Sequence, residues 1–223
     1  MQPIRESIRQ EFSFGQYHIS LVLPDPEKIR AEWESRQGEE HAPGKEGSPG
    51  RAFPFWAKVW PSSRAICTFL SKQPGLFKEK RILEIGAGLG LPSMLCALEA
   101  TSLLCTDVSY EAMQFVEISA ALNGIENMRC SVLDWTSHPQ PLPCDLLLMS
   151  DLNYAPEAFP HLHRMLEQYR QSHATILLAT PQRLSGRSFA ESIRPWVSQS
   201  EEIIVAEGNT MVPVSIFLMK PGS

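Results

Sequence analysis

The chain has 223 residues, of which 43% are hydrophobic and 20% charged, so it has enough apolar material for one sizeable core. It carries 20 Lys and Arg residues against 25 Asp and Glu residues, a net charge of −5, whereas proteins that bind nucleic-acid phosphates are usually basic. No apolar run reaches the ~18 residues that a membrane helix needs, and the first residues lack the apolar segment of a signal peptide. Membrane-spanning, collagen-like and basic nucleic-acid-binding classes are therefore excluded.

The first 79 residues are predicted to form a small N-terminal extension. Hydrophobic residues alternate over residues 11–23 around a Gly-Gln pair, which predicts a hairpin of two short strands. Asp25 followed by Pro26 is typical of a helix start, and this helix should end near Gly38. The residues from 38 to 51 are rich in glycine and proline and predict a mobile loop.

An aromatic segment, residues 53–61, follows the loop and leads into a helix. Its sequence is Phe-Pro-Phe-Trp-Ala-Lys-Val-Trp-Pro. The helix is expected to be capped by Ser62 or Ser63 and to end near Lys72. The aromatic rings either cover the top of a sheet or line a binding channel, and the sequence leaves both interpretations open.

From residue 80 onward, strands and helices alternate. The predicted strands are Arg81–Ile85, Ser102–Asp107, Met128–Leu133, Cys144–Ser150, Ala174–Thr180, Glu202–Ala206 and Val212–Met219. The predicted helices are Leu91–Ala100, Ser109–Asn123, Pro160–Gln171 and Ser185–Ser198. This order predicts an α/β fold with a doubly wound, mostly parallel Rossmann-like sheet and an antiparallel C-terminal edge hairpin. Residues 1–223 are interpreted as a single domain, with residues 80–223 as its ligand-binding core.

A glycine-rich turn joins the first core strand to its helix. Gly86 and Gly88 allow a ligand to approach the backbone, and Gly90 allows the helix to pack closely on the strand. A plain tight turn would explain the glycines alone, but Glu84 lies just before them in an apolar strand. A carboxylate there is unfavourable unless a cation or donor meets it. Glu84 would repel a pyrophosphate and attract the ammonium group of S-adenosylmethionine.

More acidic residues follow the next strands, at the sheet edge where open α/β sheets bind ligands. Asp107 has the spacing of a residue that binds ribose hydroxyls, although it could instead cap a helix. Asp134 could accept a hydrogen bond from an adenine amino group beside the flat ring of Trp135, which is otherwise a core residue. Asp151 and Tyr154 follow the fourth strand and should face the molecule that reacts with the cofactor. The alternative is that Asp151 caps a helix and Tyr154 is a surface residue.

Together these motifs resemble the seven-stranded S-adenosylmethionine-dependent methyltransferases, and more narrowly methyltransferase family sixteen, the protein-lysine methyltransferases. The motifs lie between residues 53 and 182 and are Val59–Ser63, Glu84–Gly90, Asp134-Trp135 and Asp151–Tyr154. The resemblance implies that the cofactor is lined by Trp60, Gly86, Ala87, Gly88, Asp107, Trp135 and Ser150. It implies that Asp151 and Tyr154 stand at the acceptor, a lysine of a protein partner. We expect the protein to be a monomer and to have no nucleic-acid or membrane partner.

Three alternatives remain at this stage. A small-molecule N-methyltransferase, acting on a nicotinamide-like amine, would need the N-terminal segment to close over its acceptor. A non-catalytic cofactor-binding module would be expected to have lost some of the glycine and acidic residues. A nicotinamide-dependent oxidoreductase is disfavoured by the G-x-G-x-G spacing. Nucleobase amine methylation is disfavoured because Leu152 and Asn153 replace the two prolines of that motif.

The five cysteines and six histidines predict no metal site. No two cysteines form a C-x-x-C pair, and no histidine pattern matches a known zinc motif. Most of the cysteines lie in apolar runs, where a free thiol behaves as a small core residue. This usage indicates a reducing compartment, most simply the cytoplasm.

Overall fold

The computed structural model describes residues 7–40, 53–137, 140–153, 156–182 and 187–222. An antiparallel hairpin of β1 (Ser7–Phe14) and β2 (Tyr17–Pro24) comes first and confirms the predicted pair of strands. Helix α1 (Pro26–Glu40) follows, and the Asp25 carboxylate accepts from the backbone N–H of Glu27 at 2.9 Å, as expected of its cap. The helix takes in the first three residues of the predicted loop, and the rest of that loop lies outside the described residues.

Among the described residues, seven strands form one mixed sheet in the order β5-β4-β3-β6-β7-β9-β8. The strands are β3 (Arg81–Ile85), β4 (Ser102–Asp107), β5 (Met128–Val132), β6 (Leu146–Ser150), β7 (Thr175–Pro181), β8 (Val197–Glu207) and β9 (Thr210–Met219). Strands β3 to β7 pair with one another in parallel, whereas β9 is antiparallel to both β7 and β8. The doubly wound sheet with an antiparallel edge hairpin is confirmed.

Helices cover both faces of the sheet. They are α2 (Pro61–Ser71), α3 (Leu91–Ala97), α4 (Tyr110–Leu122), α5 (Phe159–Gln171) and α6 (Arg187–Ile193). The four apolar residues of β6 are all fully buried, and they alternate between two cores. Leu146 and Leu148 pack with α2, α3 and α4, while Leu147 and Met149 pack with α5 and α6. No helix in the described part of the chain is long and apolar enough to cross a membrane.

Three helix predictions differ from the structure, and the first is α3, which ends at Ala97 instead of the predicted Ala100. Helix α2 begins directly after Trp60, and no side chain caps it, so neither Ser62 nor Ser63 has the expected role. The last predicted helix continued to Ser198, but it ends at Ile193 and is followed by a short 3-10 turn and then β8. Pro195 lacks a backbone N–H and disfavours helical geometry in the residue before it, which explains the early end.

The N-terminal hairpin is fixed to α4 by side-chain hydrogen bonds. The Asn123 amide bonds to both the backbone N–H and the carbonyl of Ser20, at 2.9 and 2.7 Å. The Ser119 hydroxyl accepts from the N–H of Val22 at 3.0 Å. Because α1 follows directly after this hairpin, the same contacts place α1 beside the carboxyl edge of the sheet.

All five cysteines are free thiols. Cys67, Cys96 and Cys105 are fully buried in the core with α2, α3 and α4, and Cys144 is buried in the core on the other face. Burial raises the pKa of each of these four thiols, so they are neutral at physiological pH. The structure therefore uses them as small apolar residues, as the sequence predicted.

Candidate active site

A cavity of about 910 Å³ opens at the carboxyl edge of the sheet. It lies where β3 and β6 are neighbours and the strand order reverses, which is the usual ligand position in an open α/β sheet. Its walls come from the glycine turn, the residues after β4, β5 and β6, the aromatic segment and α1. Most of the residues that were predicted to form the site line this cavity: Trp60, Gly86, Ala87, Gly88, Gly90, Asp107, Asp134, Trp135, Ser150 and Asp151.

The glycine turn is required by both backbone geometry and close packing. Gly86 and Gly88 have φ values of +59° and +55°, in the left-handed region that other residues rarely adopt. A Cβ on Gly86 would lie 2.4 Å from the Cδ2 atom of Leu152, and one on Gly88 would lie 3.2 Å from the carbonyl oxygen of Trp56. The glycine turn therefore packs closely against both the loop after β6 and the aromatic segment.

Asp107 connects the glycine turn to the next strand. Its carboxylate oxygens accept the backbone N–H groups of Gly88 at 2.8 Å and Ser109 at 2.9 Å. Burial raises the pKa of Asp107, and these two hydrogen bonds oppose the rise. The cap of α4 is Ser109, whose hydroxyl accepts from the N–H of Ala112 at 3.1 Å. Asp107 thus lines the cavity, and its carboxylate fixes the glycine turn.

Asp134 and Trp135 stand together on the wall beyond β5. The Asp134 carboxylate accepts from the hydroxyl and the N–H of Thr136 at 2.6 and 2.9 Å, and these bonds lower its pKa. The exposed carboxylate is therefore ionised at neutral pH. The half-buried Trp135 ring packs against the core below and also lines the cavity, so both interpretations of this ring describe it.

The end of β6 presents two polar residues to the cavity. The hydroxyl oxygen of Ser150 is buried and has no hydrogen-bond partner among the described residues. Asp151 has a φ of +56°, and its N–H donates to the carbonyl of Ala179 at 2.8 Å. This left-handed residue is less strained as Asp than as most other types, and the turn it makes brings Asp151 to the cavity wall. Tyr154 lies outside the described residues.

Glu84 is the exception among the predicted site residues, because its side chain is fully buried and does not line the cavity. Its Oε2 atom accepts from the N–H and the hydroxyl of Ser93 at the start of α3, at 2.9 and 2.5 Å. Burial raises the pKa of Glu84 to about 8. The predicted direct contact with a cofactor ammonium is therefore corrected: Glu84 faces the same core as Ile82, and its carboxyl joins β3 to α3.

A row of aromatic rings forms the outer wall. The ring centroids of Trp33 and Phe53 lie 5.5 Å apart, those of Phe53 and Phe55 also 5.5 Å, and those of Phe55 and Trp60 6.1 Å. All four line the cavity, and 51% of Phe55 is exposed. The structure thus favours the binding-channel interpretation of the aromatic segment. The contribution of α1 did not follow from the sequence, in which its signal was Trp33 in a mostly polar helix.

The cavity is strongly acidic. Five carboxylates line it, against one cationic side chain among the described lining residues, Lys58. The carboxylates belong to Glu32, Asp107, Glu111, Asp134 and Asp151. A cavity with this lining attracts a cationic ligand and disfavours one rich in phosphate. This charge pattern fits the sulfonium and ammonium groups expected from the motifs.

Comparison with known proteins places the chain in a family. A family model described as lysine methyltransferase matches residues 55–195, which is more than half of the chain. The chain belongs to the lysine methyltransferase family. The match includes the glycine turn, the cavity wall after β4, β5 and β6, and part of the aromatic segment. The resemblance predicted from these motifs is therefore confirmed.

Two curated mouse proteins are similar to part of the chain. The electron transfer flavoprotein beta subunit lysine methyltransferase is 26% identical over 144 residues, covering 63% of this chain and 56% of the relative. The EEF1A lysine methyltransferase 3 is 30% identical over 130 residues, covering 57% of this chain and 56% of the relative. The chain thus spans about half the length of the curated relatives it matches.

Solved structures show the same fold. One is the Pyrococcus abyssi tRNA (uracil-54, C5)-methyltransferase in complex with S-adenosyl-L-homocysteine. It superposes with a TM-score of 0.57 and 11% identity, covering 96% of this chain and 45% of that chain. At this low identity, the likeness shows only that the two chains share a fold.

Proposed function

We propose that this chain is an S-adenosylmethionine-dependent N-methyltransferase that methylates a lysine side chain of a protein. One observation carries the proposal: a single acidic cavity joins the glycine turn to Asp151, at the carboxyl edge of a methyltransferase-type sheet. Membership of the lysine methyltransferase family supports it, as do two relatives whose names specify lysines of different proteins. The acidic lining favours a basic polypeptide over a nucleic acid as partner.

The residues of the inner cavity fit S-adenosylmethionine. Asp107, Asp134 and Trp135 line the cavity. In this proposal Asp107 accepts hydrogen bonds from the ribose hydroxyls, and Asp134 accepts one from the adenine amino group beside the Trp135 ring. The buried hydroxyl of Ser150 has no hydrogen-bond partner in the described part of the chain, and a bound ligand would supply one. When bound, S-adenosylmethionine would supply a methyl group on a positively charged sulfur, and the acidic lining of the cavity would favour the binding of this cation.

Asp151 and the aromatic wall would bind the acceptor. A lysine must lose its proton before it attacks, and its ordinary pKa is about 10.4. Desolvation by the aromatic rings favours the neutral amine, and the Asp151 carboxylate can then orient its lone pair through an N–H hydrogen bond. Tyr154 remains a proposed second acceptor contact. Positioning of this kind can supply ~7–11 kcal/mol of the barrier reduction.

A second candidate, methylation of a small-molecule amine, has one observation in its favour. Such an enzyme needs the N-terminal segment to close over its acceptor. In this structure Ile29, Glu32 and Trp33 of α1 do line the cavity. The position of α1 is compatible with a narrow entrance for a lysine side chain as well, and the same experiment separates the two candidates.

The experiment incubates the purified chain with tritiated S-adenosylmethionine and a gel-filtered cell extract, with the small molecules removed by filtration added back in a parallel reaction. The proposal expects label in protein and, after acid hydrolysis, in methyllysine. Label that is incorporated only when the small molecules are added back, and that remains in small molecules, would favour the second candidate. Label in RNA would refute both.

Asp151 is tested with variants chosen for its backbone geometry. Asn and Gly tolerate the left-handed conformation at this position, so Asp151→Asn and Asp151→Gly remove the charge without adding strain. Transfer should fall by roughly 100-fold or more, while affinity for S-adenosylmethionine changes little. The exposed Glu126→Gln variant, which removes one charge far from the cavity, controls for net charge. Unchanged transfer in both Asp151 variants would refute the assignment.

We also propose that the protein works in a reducing compartment, the cytoplasm being the simplest. All five cysteines are free thiols in the structure, and four of them are buried. Proteins of oxidising compartments more often pair their cysteines in disulfides. Fractionation of the source cells followed by immunodetection tests this proposal, and recovery from an oxidising compartment would refute it.

A further inference from the structure

The ring of Trp60 is held at one edge and over one face. Its Nε1–H donates to the carbonyl of Phe55 at 2.7 Å, which fixes the edge. The ammonium of Lys58 lies over the ring, 4.5 Å from its centroid. This is the geometry of a cation–π contact, which fixes the face. Since Trp60 and Lys58 both line the cavity, these contacts set the shape of its aromatic wall.

Lys58 is in turn held by Glu207, at the end of β8. The Nζ atom of Lys58 lies 2.5 Å from the Oε1 atom of Glu207. That carboxylate oxygen is buried, although 34% of the Glu207 side chain is exposed, and it accepts no hydrogen bond of good geometry from the described residues. The contact with Lys58 is therefore an ion pair without an aligned hydrogen bond, and burial of the oxygen makes water screen this pair less than a fully exposed one.

The turn between β8 and β9 therefore reaches the cavity indirectly. Glu207 itself does not line the cavity. A guanidinium nitrogen of Arg64, near the start of α2, donates to the carbonyl of Ala206 at 2.6 Å and holds the same turn in place. The edge hairpin, which belongs to the part of the chain beyond the family match, thus contacts the segment that carries Trp60.

We propose that Glu207 is a positioning residue for the active site: through Lys58 it holds the Trp60 ring as a part of the cavity wall that the cofactor and the acceptor share. The proposal rests on the proposed function for the identity of the acceptor, but the chain of contacts from Glu207 to Lys58 to Trp60 stands independently. Glu207 needs no contact with cofactor or acceptor in this arrangement.

The chain offers a matched control on the same strand, β8. Lys72, just after α2, pairs with Glu201 of β8 at 3.2 Å. The exposed fractions are similar, 59% and 34% for this pair against 49% and 34% for Lys58 and Glu207. Neither Lys72 nor Glu201 lines the cavity. Glu201→Gln therefore removes an equivalent charge and ion pair without reaching Trp60.

The first measurement does not depend on activity. Indole N–H resonances are recorded by NMR for the protein labelled with ¹⁵N-tryptophan, and the Trp60→Phe variant assigns the Trp60 signal. We expect Glu207→Gln to shift this signal and leave the other tryptophan signals in place. Glu201→Gln should shift none of them. An unmoved Trp60 signal in Glu207→Gln would overturn the proposal.

The second measurement separates acceptor binding from chemistry. With gel-filtered extract protein as the acceptor, the half-saturating concentration for Glu207→Gln should rise roughly tenfold, short of the ~100-fold that misplacement of reacting groups can cause. The affinity for S-adenosylhomocysteine should fall by a smaller factor, because Trp60 is expected to line the cofactor as well, and the maximal rate should stay within about twofold of the wild type. Lys58→Arg retains both charge and cation–π contact and should preserve most of the acceptor affinity.

The two measurements distinguish the two possible failures. If the wild type methylates no lysine but the Trp60 signal moves in Glu207→Gln, the proposed function fails and the positioning role stands. If the wild type methylates lysine and the half-saturating concentration is unchanged in Glu207→Gln, the positioning role fails alone. An equal change in Glu201→Gln would also overturn the positioning role, because it would show a general charge effect.

Discussion

The buried carboxyl of Glu84 should make the stability of this protein depend on pH. The side chain is fully buried, and among the described residues its hydrogen-bond donors are the N–H and the hydroxyl of Ser93. Its Oε1 atom is buried and has no hydrogen-bond partner among the described residues. Burial is the largest influence on this group and raises its pKa from 4.5 to about 8.

The direction of the effect follows from proton binding. Between pH 4.5 and pH 8 the folded protein retains a proton on Glu84 that the unfolded chain releases. The contribution of Glu84 to the free energy of unfolding is therefore greatest below pH 4.5 and decreases as the pH rises towards 8. Each pKa unit corresponds to about 1.4 kcal/mol, so the 3.5-unit difference amounts to about 5 kcal/mol at most.

The perturbation is Glu84→Gln, which is nearly isosteric and carries no charge at any pH. Urea unfolding of both proteins without ligand, followed by circular dichroism from pH 5.5 to 8.5, gives the two stability curves. The difference between them should shift by about 1.4 kcal/mol per pH unit in favour of the glutamine variant as the pH rises towards 8. At the acidic end the variant should be the less stable one, because its amide group replaces the unpartnered oxygen and buries further donors.

The comparison isolates Glu84 because the other titrating groups are common to both proteins. Asp107 also has a raised pKa, which changes stability in the same direction in each. The exposed Glu126→Gln variant should run parallel to the wild type over the whole range. A constant difference between the wild type and Glu84→Gln would refute the reasoning, since it would mean that Glu84 titrates alike in the folded and unfolded states.

Three further variants test the cavity and the hairpin. Gly86→Ala should reduce the affinity for S-adenosylhomocysteine, measured by calorimetry, by tenfold or more (about 1.4 kcal/mol). The added Cβ would lie 2.4 Å from Leu152, and the backbone at this position is left-handed. An affinity equal to that of the wild type would contradict this prediction. Asp107→Asn should weaken the same binding by about tenfold, since an amide cannot accept as two carboxylate oxygens do. Unaltered binding would remove Asp107 from the cofactor site. Asn123→Ala should lower the free energy of unfolding by about 2–3 kcal/mol through the loss of its bonds to Ser20, with binding unchanged; equal stability in urea would contradict that docking role.

The central strands could be predicted closely because their signals are local. The runs Arg81–Ile85 and Ser102–Asp107 are apolar, bounded by turn residues, and occur in the structure with the predicted limits. The glycine turn and the acidic residues after the strands lie where parallel strands must end, so most of the candidate site follows from chain order alone.

The remaining features depend on contacts between distant parts of the chain. Glu84 was expected in the cavity because it precedes the glycines, but strand alternation turns it towards Ser93 on α3. Trp33 lies on a helix whose sequence shows no partner, and its place beside Phe53 depends on how the hairpin docks. Glu207 gave no functional signal at all, since its partner Lys58 lies far away in the sequence.

The distribution of sulfur atoms gives this protein two separate reporters of its internal motion. Cys67, Cys96 and Cys105 lie on one face of the sheet, and Cys144 lies on the other. A thiol-alkylating reagent reaches a buried sulfur only while the structure around it is open, so the rate of alkylation measures how often that region opens. Mass spectrometry of partly alkylated protein would then reveal which face of the sheet separates first, and whether a bound ligand slows one face more than the other.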